Sequence, residues 1–310
     1  MPAMKVMRSI EIEAPPERVF DAVSDYATWT VWSPWLCAEP DAAVTISQDS
    51  NSVGSVYAWR GEIVGQGEIE HQKLVPGKLI EDEIRFLKPF KSTSQVKFEI
   101  EPAGQGTKLS WHMLGSLPWF MFFMNSMFER FISMDYERGL KMLKEWIETG
   151  AVASKTTIRG TETVGPYKVI GVRKSCQLDS IGPSMTAAFA EAEQKFQQHQ
   201  LPQGGEGVSI YHSMNLKTKV FEYTSGFVVP ESTNVPPGMG GWSLPRTKAL
   251  AVEHIGSYHH LGNAWSAANQ FARFKRLKLA KCEGFEVYRN SPKETAPAEL
   301  HTDIYLPLKA

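Results

Sequence analysis

The chain has 310 residues, of which 42% are hydrophobic, and its formal net charge is −1. This length predicts two domains of roughly 150 residues each, because a single hydrophobic core rarely serves a longer chain. The near-neutral charge and the lack of lysine-rich or arginine-rich runs exclude a basic surface, so we expect no direct nucleic-acid partner.

The first half of the chain predicts a strand, a short helix, an antiparallel meander and a long helix, in that order. Apolar residues alternate around Glu11, and Pro15 and Pro16 then favour the first turn of a helix. The long helix is predicted over 125–149. Between the two helices, five alternating strands separated by glycine- and proline-containing turns are predicted at 54–62, 65–74, 78–86, 92–101 and 107–114.

This order of elements, with the segment 15–20 (PPERVF) followed by Tyr26, Trp29 and Trp32, resembles the START-like polyketide cyclase and lipid-transport superfamily. The resemblance covers about residues 4–149 and implies a helix-grip domain over 1–150, in which a curved antiparallel sheet encloses a long C-terminal helix. It also implies an apolar cavity between them that binds lipids, sterols or polyketide-like molecules. It implies no reaction, because the family has no universal catalytic residue.

Two groups of residues are candidates for lining this cavity. The run 119–127, rich in aromatic residues and methionine, either packs the sheet against the long helix or lines the cavity. Strand alternation places only about half of any set of strand residues inside. The candidate polar groups are Glu62, Glu68, Glu81, Glu83 and His112.

The second half of the chain contains one sequence pattern twice. The segment 207–211 (GVSIY) recurs as 284–288 (GFEVY), at an offset of 77 residues. Each copy predicts a strand, an amphipathic helix and two further strands, over about 165–230 and 246–308. We therefore expect an α+β chain whose C-terminal domain, 156–310, is a duplicated β-α-β-β unit with a ligand groove between two facing half-sheets. The small polar segment 151–157 is the expected domain boundary.

The segment 251–258 (AVEHIGSY), followed by Trp265, 286–288 (EVY) and 302–308 (TDIYLPL), resembles the GyrI-like effector-binding family. Such domains end some AraC-type and MerR-type regulators and also occur as stand-alone proteins. The resemblance covers about residues 156–310 and implies a ligand groove of aromatic rings around a buried glutamate. Glu286 falls on the matching position.

Glu286 is therefore the central candidate residue. Side chains alternate along a strand, so Glu286 and Tyr288 point the same way, towards the face that Ser209 and Tyr211 share. Aromatic rings and a carboxylate suit a cationic aromatic or apolar ligand. The alternative is that Glu286 faces solvent. The candidate set also includes Trp265 as a core or contact residue, Trp242 on a glycine-rich loop that could cap the groove, and Tyr223 and Tyr305 as counterparts in the two copies.

The remaining composition argues against metals and membranes. Cys37, Cys176 and Cys282 are widely spaced and have no histidine at metal-ligand spacing. No apolar run approaches the roughly 20 residues of a membrane span, and the N-terminus has no signal-peptide pattern. We expect a soluble cytoplasmic protein with no metal and no cofactor.

Three functions fit these patterns. We favour a protein that binds small apolar or cationic aromatic molecules. The alternative is a hydrolase of strained electrophiles, as implied by some stand-alone GyrI-like proteins, with Glu286 as the general base. The third is an accessory subunit whose ligand-loaded form docks on a separate regulator protein. The START-like domain replaces the DNA-reading domain of the regulators, which argues against direct transcription control.

Overall fold

The computed structural model describes residues 4–115, 123–215, 218–281 and 284–309. Cys282 and residues 119–122 of the aromatic run lie outside the described residues. Contacts divide the chain into two compact units, Met1–Val152 and Ala153–Ala310. The division falls within the segment 151–157 that was expected as the domain boundary, and a strand begins in the same segment at Ser154.

In the described residues, the first unit is a curled antiparallel sheet of seven strands with a long helix. Its helices are α1 (Pro16–Ser24), α2 (Trp29–Trp32) and α3 (Asn125–Thr149). Its strands are β1 (Met4–Ile12), β2 (Ala43–Ile46), β3 (Val56–Arg60), β4 (Gln66–Val75), β5 (Leu79–Lys88), β6 (Ser92–Ala103) and β7 (Gly106–Gly115). They pair in the order β1-β7-β6-β5-β4-β3-β2. The predicted long helix is confirmed, and so are the five strands, each to within two residues.

The long helix α3 covers the edge of this sheet. The backbone N–H groups of Lys5 on β1 and of Glu13 just after it donate to the side chains of Glu129 and Glu148, at 3.0 and 2.7 Å. Satisfying edge groups in this way removes a site where another strand could pair. The helix ends at Gly150, whose left-handed backbone (φ 85°) suits the residue after a helix.

Aromatic rings fill the interior of the first unit between the sheet and α3. Tyr136 of α3 stacks on Trp111 of β7 with ring centroids 3.8 Å apart, and Trp111 stacks on Phe98 of β6 at 5.0 Å. Trp32 and Trp35 meet Trp111 edge-on. These rings lie in the region in which the resemblance placed an apolar cavity.

The acidic residues expected in that cavity lie elsewhere. Glu68 and Glu83 form ion pairs with Arg85 at 2.7 and 2.8 Å on the outer face of the sheet, and Glu81 shares that face by strand alternation. His112 pairs with Glu99 on the same outer face, and Glu62 is exposed. The prediction failed because the neighbouring positions, one residue away along the strands, face inward.

His71 of β4 and Asp82 of β5 are the polar pair that the interior does contain. Both side chains are fully buried, with His71 Nδ1 2.6 Å from Asp82 Oδ1. His71 Nε2 must donate to the carbonyl oxygen of Ser24 at 2.8 Å, because a carbonyl only accepts. Burial raises the pKa of Asp82. The two buried side chains thus satisfy each other through a hydrogen bond, as buried polar groups require.

The described part of the second unit is an eight-stranded antiparallel sheet with two helices. The helices are α4 (Ile181–Gln198) and α5 (Leu261–Phe274). The strands are β8 (Ser154–Val164), β9 (Tyr167–Gln177), β10 (Gly207–Asn215), β11 (Val220–Val228), β12 (Gly240–Leu244), β13 (Thr247–Gly256), β14 (Gly284–Tyr288) and β15 (His301–Pro307).

The strands of the second unit pair in the order β12-β9-β11-β10-β14-β15-β13-β8. Because β10 pairs directly with β14, the sheet is continuous, and the expected pair of facing half-sheets is wrong. Helix α4 packs on β9 and β11, and α5 packs on β13, β8 and β15. Both helices lie on the same face, as shown by the clusters that Phe196 of α4 and Ala268 of α5 form with that face. A groove over β10 and β14 lies between them.

We predict that the two units fold independently, because each buries its own hydrophobic clusters. Fragments 1–152 and 153–310, expressed separately, should each unfold cooperatively on heating and retain native-like circular dichroism. A fragment that is soluble only in the presence of the other would show that the units depend on each other for folding.

Candidate functional site

The candidate site lies where β10 and β14 pair at the centre of the second sheet. Ser209 and Glu286, the matching positions of the repeated pattern, are direct cross-strand partners. Their side chains therefore point to the same face of the sheet, the face that carries both helices. The flanking partners in this register are Gly207 with Tyr288 and Tyr211 with Gly284.

The glycine that opens the second copy of the pattern leaves room for an aromatic ring. A Cβ atom at Gly284 would lie 2.9 Å from the Trp265 ring, closer than carbon atoms approach. A Cβ atom at Gly207 would lie 3.5 Å from the ring of Tyr288. Gly284 thus lets the ring of Trp265 lie close over the strand, beside the carboxylate, whereas the distance at Gly207 is an ordinary van der Waals contact.

Three neutral donors hold the carboxylate of Glu286, whose side chain is 1% exposed. Its Oε1 accepts from Tyr211 Oη at 3.0 Å and from Trp265 Nε1 at 2.5 Å, and its Oε2 accepts from Tyr288 Oη. Among the described residues, no lysine, arginine or histidine forms an ion pair with Glu286. The site is therefore a buried acid without a cationic partner.

Burial controls the ionisation of this site. It raises the pKa of Glu286, and the hydrogen bonds from Trp265, Tyr288 and Tyr211 oppose that rise. Burial and the negative charge of Glu286 together raise the pKa values of Tyr211 and Tyr288 well above 10. Both phenols therefore keep their protons and act as donors at neutral pH.

Aromatic rings and a thioether form the walls around Glu286. The Tyr211 ring meets Trp265 edge-on, with centroids 5.0 Å apart. The Tyr288 ring meets Phe189 and Tyr258 edge-on, both at 5.5 Å. Tyr211, Trp265 and Tyr288 are partly exposed, so the groove opens to solvent above the carboxylate. Two further wall residues lie beside Tyr211, namely Met185 and Phe221.

The structure brings together Glu286, Tyr288 and Tyr211 as the sequence predicted, and it adds Trp265, which the sequence left as either a core or a contact residue. Ser209 is also adjacent but completely buried, where its Oγ lies 2.7 Å from Ser225 Oγ and accepts from Tyr288 Oη at 3.3 Å. Ser209 therefore supports Tyr288 from below and does not line the groove.

Tyr223 shares the same face but is also covered. It is fully buried, is the cross-strand partner of Tyr211, and its Oη lies 2.6 Å from Ser184 Oγ of α4. This contact places the ring between the sheet and the helix. Tyr223 therefore fixes α4 on the sheet instead of contacting a ligand.

Tyr305 and Trp242 lie on the opposite face of the sheet, so their assignment to the groove is wrong. Tyr305 is the cross-strand partner of Phe285, and the Trp242 ring lies 5.3 Å from the Phe285 ring. Phe285 alternates with Glu286 and points away from the groove. Trp242 belongs to strand β12 and not to a capping loop.

The register explains the error at Tyr305. Ser209 pairs with Ser225 as Glu286 pairs with Ile304, so the residue that corresponds to Tyr305 in the first copy is Gly226 and not Tyr223. The last strand of each copy is offset by 79 residues, whereas the strand before it is offset by 77. This change in loop length cannot be seen in the pattern of either strand alone.

Sequence reasoning missed Tyr258, Met185, Phe189 and Phe221 as parts of the groove. Tyr258 belongs to the segment 251–258 that carries the family resemblance, which was a usable signal. Met185 and Phe189 lie on the first turns of α4. Periodicity marks the apolar face of such a helix but not which part of that face meets a groove.

A second polar cluster lies on the far face, around Tyr305. Glu253, His301 and Asp303 bring possible metal-ligand atoms within 4.8 Å of one another. Arg159 and Arg289 already bind the two oxygens of Asp303, each at 2.7 Å. Burial raises the pKa of Asp303, but these arginines hold it below its ordinary value. The cluster is an ion-pair network rather than a cation site.

Two surface clefts lie away from Glu286. One, of about 330 Å3, is lined in part by Glu193, Phe196 and Lys293 of the second unit. The other, of about 370 Å3, is lined in part by Arg18 and Trp146 of the first unit. Glu193 and Lys293 pair with each other at 2.8 Å, and neither cleft holds an unpaired buried acid. The chemistry of the second unit is therefore concentrated at Glu286.

Comparison with known families agrees with this geometry. Residues 3–148 match the family described as polyketide cyclase/dehydrase and lipid transport, and residues 161–309 match the GyrI-like small molecule binding domain. The first half of the chain thus matches a polyketide cyclase-type family and the second half matches a GyrI-like family. Both resemblances are thereby confirmed, in the predicted order. No curated protein matches the chain.

Solved structures with a similar fold are distant in sequence. A protein from Chromobacterium violaceum is 19% identical, with 47% of this chain and 97% of that chain covered and a TM-score of 0.37. CalU16 from Micromonospora echinospora is 15% identical, with 48% and 78% covered and a TM-score of 0.34. EcmrR, solved with DNA, is 17% identical, with 59% and 68% covered and a TM-score of 0.42. None of these likenesses bears on ligand or activity.

Among the described residues, no helix is both long and apolar enough to cross a membrane.

His254 lies beside the groove, on β13 below the turn that carries Tyr258. It is fully buried, and burial lowers its pKa to about 4. In the unfolded chain this pKa is about 6.5, so below that pH the unfolded state binds a proton that the folded state excludes. Stability from this residue is complete above pH 6.5 and declines as the pH falls towards 4.

We predict that the free energy of unfolding of the second unit falls between pH 7 and pH 5 by about 2 kcal/mol because of His254. Urea unfolding of fragment 153–310 and its His254→Gln variant at both pH values measures this as the difference in pH dependence. The exposed His259→Gln variant is the matched control and should behave as the parent. Equal pH dependence in all three proteins would contradict the assignment.

Proposed function

We propose that the GyrI-like unit binds small aromatic cations in the groove at Glu286. The observation that carries this proposal is the fully buried carboxylate, which accepts hydrogen bonds from Tyr211, Trp265 and Tyr288 and forms no ion pair in the described chain. A buried charge without a partner is costly, and a ligand cation would offset that cost. Small-molecule binding in general is supported by the family match.

The walls of the groove suit the same class of ligand. The rings of Tyr211, Tyr288 and Trp265 lie around the carboxylate, and the π system of such a ring attracts a cation that reaches its face. Apolar area from Phe189 and Met185 would bury the rest of an aromatic molecule. The arrangement therefore favours a flat cation over a neutral molecule of the same shape.

We also infer that the second unit is a duplication, with copies β9-α4-β10-β11 and β13-α5-β14-β15. The sheet order supports this, since β9-β11-β10 on one side is followed by β14-β15-β13, the same order reversed. A pseudo-twofold axis would then pass between β10 and β14. At that axis Ser209 of one copy faces Glu286 of the other, so the charge is the feature by which the copies differ.

For the first unit we infer a helix-grip fold whose interior binds a second small apolar molecule, as the family match supports. The interior is aromatic, and it holds three buried polar atoms that have no partner in the described residues, Tyr26 Oη, Asp82 Oδ2 and Trp111 Nε1. A ligand with one polar group on an apolar body fits this chemistry best. Thermal shifts of fragment 1–152 with phenols, sterols and fatty acids test the inference.

Hydrolysis of a strained electrophile is the alternative function of the groove. The raised pKa of Glu286 favours it, because a general base works best when its pKa lies near the operating pH. The base would take a proton from water while a phenol polarises the electrophile.

Two further expectations from the sequence stay predictions. They are that the protein docks on a separate regulator protein and that it is located in the cytoplasm.

We predict that Glu286→Gln weakens binding of 1-methylquinolinium by about 1.5 to 3 kcal/mol, the usual contribution of a hydrogen-bonded charge. Its neutral isostere 1-methylnaphthalene should lose much less, because the substitution keeps the shape of the site. Isothermal titration of both compounds against both proteins measures the difference, and the exposed Glu231→Gln variant is the control. Equal losses for the two compounds would rule out a charge-selective groove.

The same variant separates binding from catalysis. If the groove is a hydrolase site, Glu286→Gln should leave affinity for the electrophile nearly unchanged and reduce its turnover by roughly a hundredfold or more. Turnover of a cyclopropane-containing electrophile, followed by mass spectrometry, measures this. Undetectable turnover in the parent protein would exclude the alternative for that substrate.

We predict that cation affinity depends on pH through Glu286. Its pKa is raised above 4.5, and only the ionised form attracts a cation, so affinity should fall about tenfold per pH unit below that raised pKa. The dissociation constant of 1-methylquinolinium between pH 8 and pH 5 should therefore increase as the pH falls. The dissociation constant of 1-methylnaphthalene should not change with pH. In Glu286→Gln, the dissociation constant of 1-methylquinolinium should not change with pH either. Parallel profiles for the two compounds in the parent protein would contradict this.

A further inference from the structure

Tyr258 is the groove tyrosine whose phenol has no hydrogen-bond partner in the described chain. The phenols of Tyr211 and Tyr288 are both donated to Glu286. Tyr258 is partly exposed and contacts the Tyr288 ring edge-on, with centroids 5.5 Å apart. Burial, and next the negative charge of Glu286, raise the pKa of Tyr258 to about 12. Its hydroxyl therefore keeps its proton at neutral pH.

The turn that carries Tyr258 is fixed from below. Gly256 has φ +132°, and a Cβ atom there would lie 2.0 Å from the carbonyl oxygen of Ala153, so only glycine fits. The carbonyl oxygen of Ser257 accepts from the backbone N–H of His260 at 2.9 Å and from His254 Nε2 at 3.1 Å. The ring of His254 is fully buried under this turn. The backbone on the N-terminal side of Tyr258 therefore has a defined position.

Three of the hydrogen-bond donors in the groove are already bound to Glu286, and the phenol of Tyr258 is not. Tyr211, Trp265 and Tyr288 already donate to Glu286, so a ligand that brings a hydrogen-bond acceptor would have to compete with the carboxylate for them. Tyr258 can donate without breaking a bond that the described structure contains. An acceptor placed near it gains a hydrogen bond at little cost, whereas a ligand without one gains only ring contact.

We propose that Tyr258 determines ligand specificity by donating its phenol to a carbonyl or ether oxygen of a cation held at Glu286, and that His254 is the positioning residue that holds its turn. This rests on the proposed function of the groove and extends it to the ligand class. The preferred ligand is an aromatic cation that carries a hydrogen-bond acceptor on the same ring system.

The test compares 1-methylquinolinium with its acetyl-substituted positional isomers, which add one acceptor to the same cation. In the parent protein at least one isomer should bind more tightly than the unsubstituted cation. Tyr258→Phe should weaken that isomer by about threefold to tenfold, the range of one neutral hydrogen bond, and leave the unsubstituted cation within about twofold. Tyr167→Phe makes the same chemical change on the other face of the sheet and should alter neither.

His254 is tested by the ratio of the two affinities in folded protein. His254→Gln keeps an N–H donor near the position of Nε2 and should keep most of the preference for the acetyl isomer. His254→Leu removes the donor and should reduce the preference towards that of Tyr258→Phe, whereas a purely structural residue would change both affinities equally. If His254→Leu does not fold, Tyr258→Phe and His254→Gln still decide the proposal.

The outcomes also separate this inference from the function on which it rests. If the parent protein does not bind 1-methylquinolinium or any acetyl isomer, the proposed function fails. If the cations bind but no isomer is preferred, or Tyr258→Phe leaves the preference unchanged, the function stands and the role of Tyr258 is overturned. An unchanged preference in His254→Leu overturns its positioning role alone.

Discussion

The burial of the Glu286 carboxylate without a cationic partner is the constraint on which the groove of the second unit depends. A carboxylate that leaves water loses several kcal/mol of solvation, which must be offset by hydrogen bonds or opposite charge. Here the offset comes from three neutral donors on three elements, β10, β14 and α5. Gly284 leaves room for the ring of Trp265. The cross-strand register of β10 and β14 places Tyr211 and Tyr288 on either side of Glu286.

The chain buries acidic side chains in three different ways, and the comparison shows why Glu286 stands out. Asp82 is hydrogen-bonded to the equally buried ring of His71, at 2.6 Å. Asp303 lies between Arg159 and Arg289, which supply opposite charge directly. Glu286 has only neutral donors, so the site tolerates a negative charge but does not neutralise it. That difference is typical of a site that receives its counter-charge from a ligand.

The two faces of the second sheet have different roles: one carries the candidate binding groove, and the other carries a hydrophobic cluster. The face with the helices leaves its central strands uncovered between α4 and α5, and there the aromatic residues surround an acid. The opposite face carries Phe285, Tyr305 and Trp242 packed in a hydrophobic cluster, with arginines and Asp303 at its border. Adjacent residues of β14 therefore have unrelated roles, because each step along a strand reverses the direction of the side chain.

Local patterns in the sequence determined most of the architecture. Periodicity and turn residues predicted α3 to the residue and five of the seven strands of the first sheet to within two residues, and the repeated segments 207–211 and 284–288 identified Glu286, Tyr288 and Tyr211. These features depend on residues close together in the chain, which a pattern records directly. The family resemblances of both units were likewise readable from short motifs and are confirmed.

Only the tertiary structure decided which residues meet. The sequence could not show that β10 pairs with β14, that Tyr305 corresponds to Gly226, or that His71 and Asp82 lie inside the first unit while Glu68 and Glu83 lie outside. A shift of one residue in strand register reverses every side chain, and loop lengths between strands set that register. Contacts such as Tyr258 with Tyr288 join residues 30 positions apart, and no local pattern fixes the distance between them.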